Sequence, residues 1–505
     1  MGVLICKGCV LDFTRFSLVL VAFLGAIIGS FLNVVIYRLP RGLSVTNPRW
    51  SFCPHCHHRI RWYDNVPILG WLLLRGRCRD CHSLIPAIYP LIECLSLLLF
   101  ITVWDAMFGA QMVPGVKFLA ADWPSAAAYL ILFGGLLAGA AMDIESYIID
   151  IRICLLIMAA GVVAQGLRWG LPVQAGAARV EELPAVLPPA LSLLGVAMGG
   201  AWLVTILIAG WLNPRRGTAG NDRTPEVAEK QERPDLPQTP SPGESSPRSD
   251  GRFRPFPIIA LSALTVAMLI WQLAASDSGV VGRIPPGGQR GFAACFVFML
   301  VLVLASMVPR QADTQIVEEI EAERAGARAV AVHELVWFIP SILIGVGLLL
   351  FLRRTGHLDS DWRGVLQALF GDHRWASFLA GGFQALAAGL LAAGIGWCVR
   401  ILGTLTFGKE AFGTGDIYIM AAIAAVAGLP LLILAFFLGA LLALVGVLAT
   451  LFHKTSRAIP FGPWLAIGSL VALWLQPVLV EFFEPAATML WAVLSGRSGG
   501  WSFGG

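Results

Sequence analysis

The chain has 505 residues, 57% of them hydrophobic and only 13% charged, with a mean hydropathy of +0.74. A water-soluble protein of this length has no use for so much apolar sequence. The composition therefore excludes a soluble globular fold and indicates an all-α polytopic membrane protein. The net charge of +4 says little by itself; where the charges sit says more.

Residues 1–37 hold the first span. Cys6 and Cys9 form a CxxC with no second pair nearby, which reads as incidental. No cleavable signal pattern precedes the apolar run Phe16 to Tyr37, so that run is expected to stay as an anchor. Its Gly25, Gly29, Ser30 and Asn33 suit close helix packing and interhelical hydrogen bonding.

A hydrophilic loop occupies residues 38–87. Between Arg38 and Pro86 it carries eight arginines against two acids, Asp64 and Asp80, which places it on the cytoplasmic side by the positive-inside rule. It also holds Cys53-Pro-His-Cys56 and Cys78-Arg-Asp-Cys81, with 21 residues between the pairs. Four thiolates at that spacing can close a tetrahedral zinc site and staple a loop that has little core of its own. A saturated site has no open position, so the expected zinc is structural. His55, His57, His58 and His82 crowd the pairs, but four cysteines are the simpler ligand set.

Residues 88–170 contain three more spans, about Ile88–Phe108, Ala126–Met142 and Ile151–Trp169. Glu93 reads as a first-turn charge at a helix N-terminus. The third span delivers Asp143 into a short turn that also holds Glu145 and Asp150. An additional span falls in 171–212. Residues 213–255 form a Pro-rich linker with eight basic residues, disordered by composition and cytoplasmic by charge. The region 256–399 holds four further spans, about Phe256–Ala275, Gly291–Val308, Leu335–Leu352 and Ala376–Val399, with a charged helical segment at 310–333. The loop 353–375 falls outside on this count despite its Arg353, Arg354, Arg363 and Arg374. The region 400–482 holds the last three spans, a short one from Asp416, then Pro430–Phe452 and Trp464–Val480. A tail, 483–505, follows. The total is about twelve transmembrane helices. Six spans separate Asp143 from Asp416, so both are expected at the cytoplasmic face.

Gly413-Thr414-Gly415-Asp416 lies between charged Lys409 and Glu410 and the apolar run Ile417 to Leu429. Gly413 and Gly415 permit unusual backbone or close helix approach. An ionisable group at the mouth of a membrane helix is costly and usually functional. Paired with Asp143, Asp416 can share one proton and activate water for peptide hydrolysis. Either aspartate alone can equally be a helix cap.

The chain resembles the type IV prepilin peptidases, a family of membrane aspartic proteases. Four ordered motifs carry the resemblance. They are Gly29-Ser-Phe-Leu-Asn-Val-Val-Ile-Tyr-Arg-Leu-Pro40; the double CxxC with Asn65 to Cys78 between the pairs and Tyr89-Pro-Leu-Ile-Glu93 after; Phe412-Gly-Thr-Gly-Asp416; and Ile459-Pro-Phe-Gly-Pro-Trp-Leu-Ala-Ile-Gly468. They cover about residues 20–170 and 400–470. The resemblance implies cleavage of basic leaders from prepilins or type II secretion pseudopilins at the cytoplasmic face of the bacterial inner membrane. It also implies N-methylation of the new terminus with S-adenosylmethionine in members that carry that activity. The implied partners are these substrates and the lipid bilayer, with no nucleic acid. By motif the catalytic pair falls on Asp143 and Asp416, and the zinc ligands on Cys53, Cys56, Cys78 and Cys81.

Three departures stand out. The family usually has a Pro after its first aspartate, in an Ile/Leu-Pro-Asp/Asn context; Ile148-Ile149-Asp150 has none, which makes Asp150 the runner-up for the first catalytic position. Many members carry Lys two residues past the GxGD aspartate, where this chain has Tyr418. About 270 residues separate the two aspartates, and a long cytoplasmic loop adds little closure entropy. The alternatives are a catalytically impaired scaffold for pilus or secretion assembly, a proton-coupled transporter, and a general intramembrane protease. A transporter would carry its ionisable groups nearer helix centres, and neither it nor a general intramembrane protease needs the zinc loop.

Overall fold

The computed structural model describes residues 7–113, 116, 119–170, 195, 199, 298, 326–355, 374–451 and 460–475. Its helices are α1 (Lys7–Arg38), α2 (Leu69–Leu73), α3 (Ile88–Trp104), α4 (Leu119–Ser146), α5 (Ile151–Gly170), α6 (Ala327–Thr355), α7 (Arg374–Phe407), α8 (Thr414–Leu451) and α9 (Gly462–Leu475). Among the described residues there is no β-strand, only two isolated bridges in the 39–87 loop. Among the described residues, seven helices are long and apolar enough to cross a membrane: α1, α3, α4, α5, α6, α7 and α8. The protein is thus mostly helical and multi-pass, as composition requires, and its backbone polar groups are satisfied within helices.

The expected spans at 185–212, 256–275 and 291–308 lie outside the described residues, apart from Gly195, Gly199 and Phe298, so the count of twelve rests on the sequence. Other boundaries shift. Span three runs on to Ser146, so Asp143 sits inside the last turns of α4 rather than after its end. The charged segment expected at 310–333 lies outside the described residues up to 325, and its last residues, from Ala327, belong to α6. The two runs read as spans ten and eleven join at Gly428, whose φ of 84° breaks the helical path within α8. Glycine tolerates that φ, and Pro430 just beyond it lies where a missing N–H is harmless.

Helix α1 packs on α3 through small residues. A Cβ on Gly29 would stand 2.7 Å from Glu93 Cα, and one on Gly25 would stand 2.9 Å from Leu97 Cα. Polar ties close both ends of this contact: Trp104 Nε1 donates to Ser17 Oγ at 3.2 Å, and Asn33 Nδ2 donates to the Tyr89 carbonyl at 3.0 Å. Helices α4 and α5 are pinned by a buried Arg168–Asp122 ion pair at 3.4 Å. The core then runs from α3 and α4 through α5 to α8 and α9, centred on fully buried Phe133, Ile157, Ile423 and Trp464.

Gly29→Leu is expected to separate α1 from α3 and destabilise the folded protein by about 1–3 kcal/mol, the usual cost of overpacking. Gly347→Leu, at a site with nothing within 4 Å of the added carbon, should leave stability unchanged. Thermal unfolding of both variants in one detergent checks the contrast.

Candidate functional site

The loop after α1 is ordered by a single guanidinium. Arg38 is buried, and it donates to the carbonyls of Ser44 (3.1 Å), Val45 (3.2 Å), Pro48 (2.9 Å) and Trp50 (3.3 Å). These bonds lead the chain into the first cysteine pair. There Cys53 N–H donates to the His58 carbonyl and His57 N–H to the Cys53 carbonyl, at 3.0 and 2.9 Å. The second pair repeats the pattern: Cys78 N–H to Ser83 O at 2.9 Å, and His82 N–H to Cys78 O at 3.0 Å. His57 and His82 take matching positive φ values of 57° and 54°. Two equivalent turns thus face each other, and the histidines serve as turn residues.

The four Sγ atoms of Cys53, Cys56, Cys78 and Cys81 lie within 4.8 Å of one another. Cys53 Sγ stands 3.9 Å from Cys81 Sγ, and Cys56 Sγ 4.0 Å from Cys78 Sγ. Tetrahedral zinc with bonds of about 2.3 Å needs sulfurs about 3.8 Å apart. The donor set therefore fits such an ion. The Ser83 hydroxyl lies 3.0 Å from Cys81 Sγ; its hydrogen bond, with one from the Ser83 backbone, draws the Cys81 thiol down to about 6. A ligand thiol must ionise, and this donor helps it do so.

Glu93 is not in the first turn of its helix. It lies further along α3, buried, and accepts a 2.6 Å hydrogen bond from the Ile68 N–H. Ile68 has φ 62°, a conformation disfavoured for a β-branched residue. The carboxylate ties that strained turn to the membrane helices. Beside it, Arg79 makes a bidentate pair with Asp64 at 2.6 and 2.8 Å. Hydrogen bonding from Arg79 holds the Asp64 carboxyl below its usual range.

The second centre forms where α4, α8 and α9 meet. Asp143 and Asp416 are both buried, 6% and 9% exposed, and Asp416 lies within Coulombic reach of Asp143. Asp143 Oδ2 accepts the Gly462 N–H at 3.1 Å. Asp416 Oδ2 lies against Gly413, 3.2 Å from where a Cβ on that glycine would stand, while its Oδ1 has no hydrogen-bond partner among the described residues. Each carboxylate thus lies against a Phe–Gly peptide. The two phenylalanines, Phe412 and Phe461, pack edge-on to each other at 5.7 Å and to Phe436 at 6.1 and 5.7 Å. Ile149 fills the space between, against both Gly415 and Gly462.

Gly462 was not assigned a role from sequence, although its motif was recognised. A Cβ there would stand 2.7 Å from Asp143 Oδ2, so only glycine permits this approach. Asp150, the runner-up, caps α5: its Oδ1 accepts the Arg152 N–H at 2.8 Å, and it pairs with the Arg152 guanidinium at 2.7 Å. Those bonds hold its carboxyl below the usual range. Glu145 pairs with Arg41 at 3.2 Å. Both acids of this turn are thus already matched by arginines.

A helical membrane scaffold with a four-thiol loop and two buried carboxylates defines a narrow class of protein. Residues 23–107 match the Bacterial Peptidase A24 N-terminal domain, a stretch holding the second half of α1, the four-thiol loop and α3. The chain is similar to the prepilin leader peptidase/N-methyltransferase of Myxococcus xanthus, 54% identical over 77 residues, covering 15% of this chain and 23% of that protein. It is 39% identical over 159 residues to the one from Dickeya chrysanthemi, covering 27% and 52% respectively. It is also 39% identical over 142 residues to the Type 4 prepilin-like proteins leader peptide-processing enzyme of Escherichia coli O78:H11, covering 24% and 46%. The chain spans about half the length of these relatives, or less. No solved structure matches it.

Arg38→Gln removes the donors that hold residues 44–50. Hydrogen bonds to a charged group contribute about 1.5–3 kcal/mol each, so the variant's loop should be cut by trypsin at Arg41 and Arg49 at least tenfold faster, a change of about 1.4 kcal/mol in opening. Limited proteolysis followed by mass spectrometry checks it.

Proposed function

We propose that this chain is a membrane aspartic endopeptidase that removes the basic leader from type IV prepilins or type II secretion pseudopilins at the cytoplasmic face of the bacterial inner membrane. The observation that carries the reading is the meeting of Asp143 and Asp416, buried and each set against one Phe–Gly peptide. Carboxylates buried beside a membrane surface are costly, and this pair lies against backbone groups without a matching cation in the hydrogen bonds and ion pairs described above. The names of the relatives support the same reading.

In this mechanism the two carboxylates share one proton. The protonated member polarises the scissile carbonyl; the ionised member takes a proton from the attacking water. The unpartnered Asp416 Oδ1 is the atom with capacity to spare. A groove of ≈ 500 Å³ between α1, α3, α4 and α9 is lined mostly by apolar side chains and includes Ile144 and Pro463. These are the sequence neighbours of Asp143 and Gly462. An apolar pilin segment would lie there, with its leader toward the arginine-rich loop side.

The four cysteines would hold a structural zinc, which fixes the loop and supplies no reacting group. We assign the N-methyltransferase activity, with S-adenosylmethionine as methyl donor, on the relatives' names. A cavity of ≈ 470 Å³ between the four-thiol loop and α1 and α3, bordered by Tyr37, Trp71 and Asp80, has a size suited to a ligand of that class.

Asp143→Asn and Asp416→Asn should each lower cleavage of a co-expressed prepilin by several orders of magnitude with folding and metal content intact. The double variant should be little worse than either, because the pair acts as a unit. A mobility-shift assay reads all three; near wild-type cleavage in both single variants would leave the scaffold reading as the better account. Glu145→Gln should change cleavage little.

Metal analysis should find about one zinc per chain, as one closed four-thiolate site holds. Cys53→Ser/Cys78→Ser should lose that metal. Retention of full metal by this variant would sink the assignment.

A further inference from the structure

The segment that separates the two aspartates ends in α6 and α7, and these helices reach the GxGD loop directly. Arg400, in the last turns of α7, is the junction. Its Nε donates to Glu334 of α6 at 3.3 Å. Its Nη1 pairs with Glu410 and donates to the Phe412 carbonyl at 2.9 Å. Its guanidinium lies 5.4 Å from the Trp397 ring centroid. The Arg400 side chain is only 12% exposed.

The Phe412 carbonyl and the Gly413 N–H belong to one peptide plane. That plane is rigid, so fixing its oxygen fixes its hydrogen. Asp416 Oδ2 lies against the glycine of that peptide, 3.2 Å from where a Cβ on Gly413 would stand. Arg400 therefore sets the position of the group on which the Asp416 carboxylate rests, through one intervening peptide. A second contact comes from α6: the Arg328 guanidinium stands 3.2 Å from where a Cβ would lie on Gly408, a residue at φ 67° in the turn that opens the loop. Thr404 completes the frame, accepting the Ala411 N–H on its hydroxyl at 3.2 Å.

We infer that Arg400 is a positioning residue for Asp416, and that Glu334 on α6 makes the inserted segment a working support of the candidate catalytic loop rather than a tolerated addition. The role of Asp416 rests on the peptidase reading; the support of the Gly413 peptide by Arg400 and Glu334 does not. Glu334 holds the guanidinium from one side while Glu410 and the Phe412 carbonyl hold it from the other. Without Glu334 the fork loses one of its fixed partners, and the peptide plane it carries loosens.

The test uses the full-length protein in lipid nanodiscs with two readouts. Hydrogen exchange at residues 408–416 reports the loop whether or not any substrate is cut. Steady-state cleavage of a prepilin reports kcat and KM. Arg400→Gln should raise exchange at Gly413 about tenfold, corresponding to a local opening easier by about 1.4 kcal/mol, and lower kcat about 10–100-fold with KM nearly unchanged, as expected of a misplaced catalytic group. Arg400→Lys should recover part of both, since an ammonium can reach the carbonyl but cannot fork to two partners. Glu334→Gln should show a smaller effect that vanishes in the Arg400→Gln background. Unchanged Gly413 exchange in Arg400→Gln overturns the inference even if Asp416 proves essential for cleavage. A wild-type protein that cuts no prepilin yet shows this exchange pattern removes the peptidase reading and leaves the positioning role standing. Should Arg400→Gln fail to fold, Arg400→Lys and Glu334→Gln read the same coupling, and additive exchange effects in their double variant would overturn it.

Discussion

Two carboxylates kept from water, each set against a Phe–Gly peptide, set the terms for this protein. Burying such groups is expensive unless their lone pairs are met, and the groups they lie against here are backbone groups that cannot swing away. Asp143 meets Gly462 and Asp416 meets Gly413. Phe412, Phe436 and Phe461 lock the two peptides to each other through edge contacts. Such contacts are directional as well as apolar, so they fix orientation along with separation. The helix breaks serve the same end: the Gly428 kink lets the two halves of α8 differ in direction, with Asp416 on one and Phe436 on the other.

The four-thiol loop is built into the helices rather than hung from them. Arg38 at the end of α1 gathers four loop carbonyls, and Glu93 within α3 holds the Ile68 N–H. Asn33 closes the seam between the two helices at Tyr89. A metal in the four-thiol site would therefore stiffen the ends of α1 and α3 as well as the loop, because every tie is short and mostly buried. The reverse also holds, since the helices preset the loop path that brings the two cysteine pairs face to face.

Much of this was legible from residue types and spacing. The apolar runs gave the positions of α1, α3, α4, α5 and α7, and the paired CxxC motifs gave the thiol cluster. Asp143 and Asp416 were singled out because an ionisable group at the mouth of a membrane helix is costly. What stayed hidden shares one cause. Gly462 acts through its N–H and through the absence of a side chain, and neither leaves a chemical signature in sequence. Arg400 acts on a carbonyl and on acids 66 and 10 residues away, a relation no local pattern displays. Glu93 was misread because its distance from the helix start is a matter of where the helix begins. Asp143 was placed in a turn because its acidic neighbours looked like one, whereas α4 continues to Ser146 and carries it on a rigid element.

The Asp143–Gly462 hydrogen bond spans 319 residues of chain, and this fixes an order of events during synthesis. At about 5–20 residues per second, translation takes about 16–64 s to proceed from Asp143 to the glycine that donates to it. Throughout that interval α4 is in place while its partner strand of chain does not yet exist, and the GxGD loop is also still to come. The aspartate therefore waits without the donor it accepts from in the folded protein. That donor arrives in one late step, when α9 docks beside α8, and α9 also brings the last wall of the groove, so a chain released early by a stalled ribosome carries the thiol loop beside an unfinished groove.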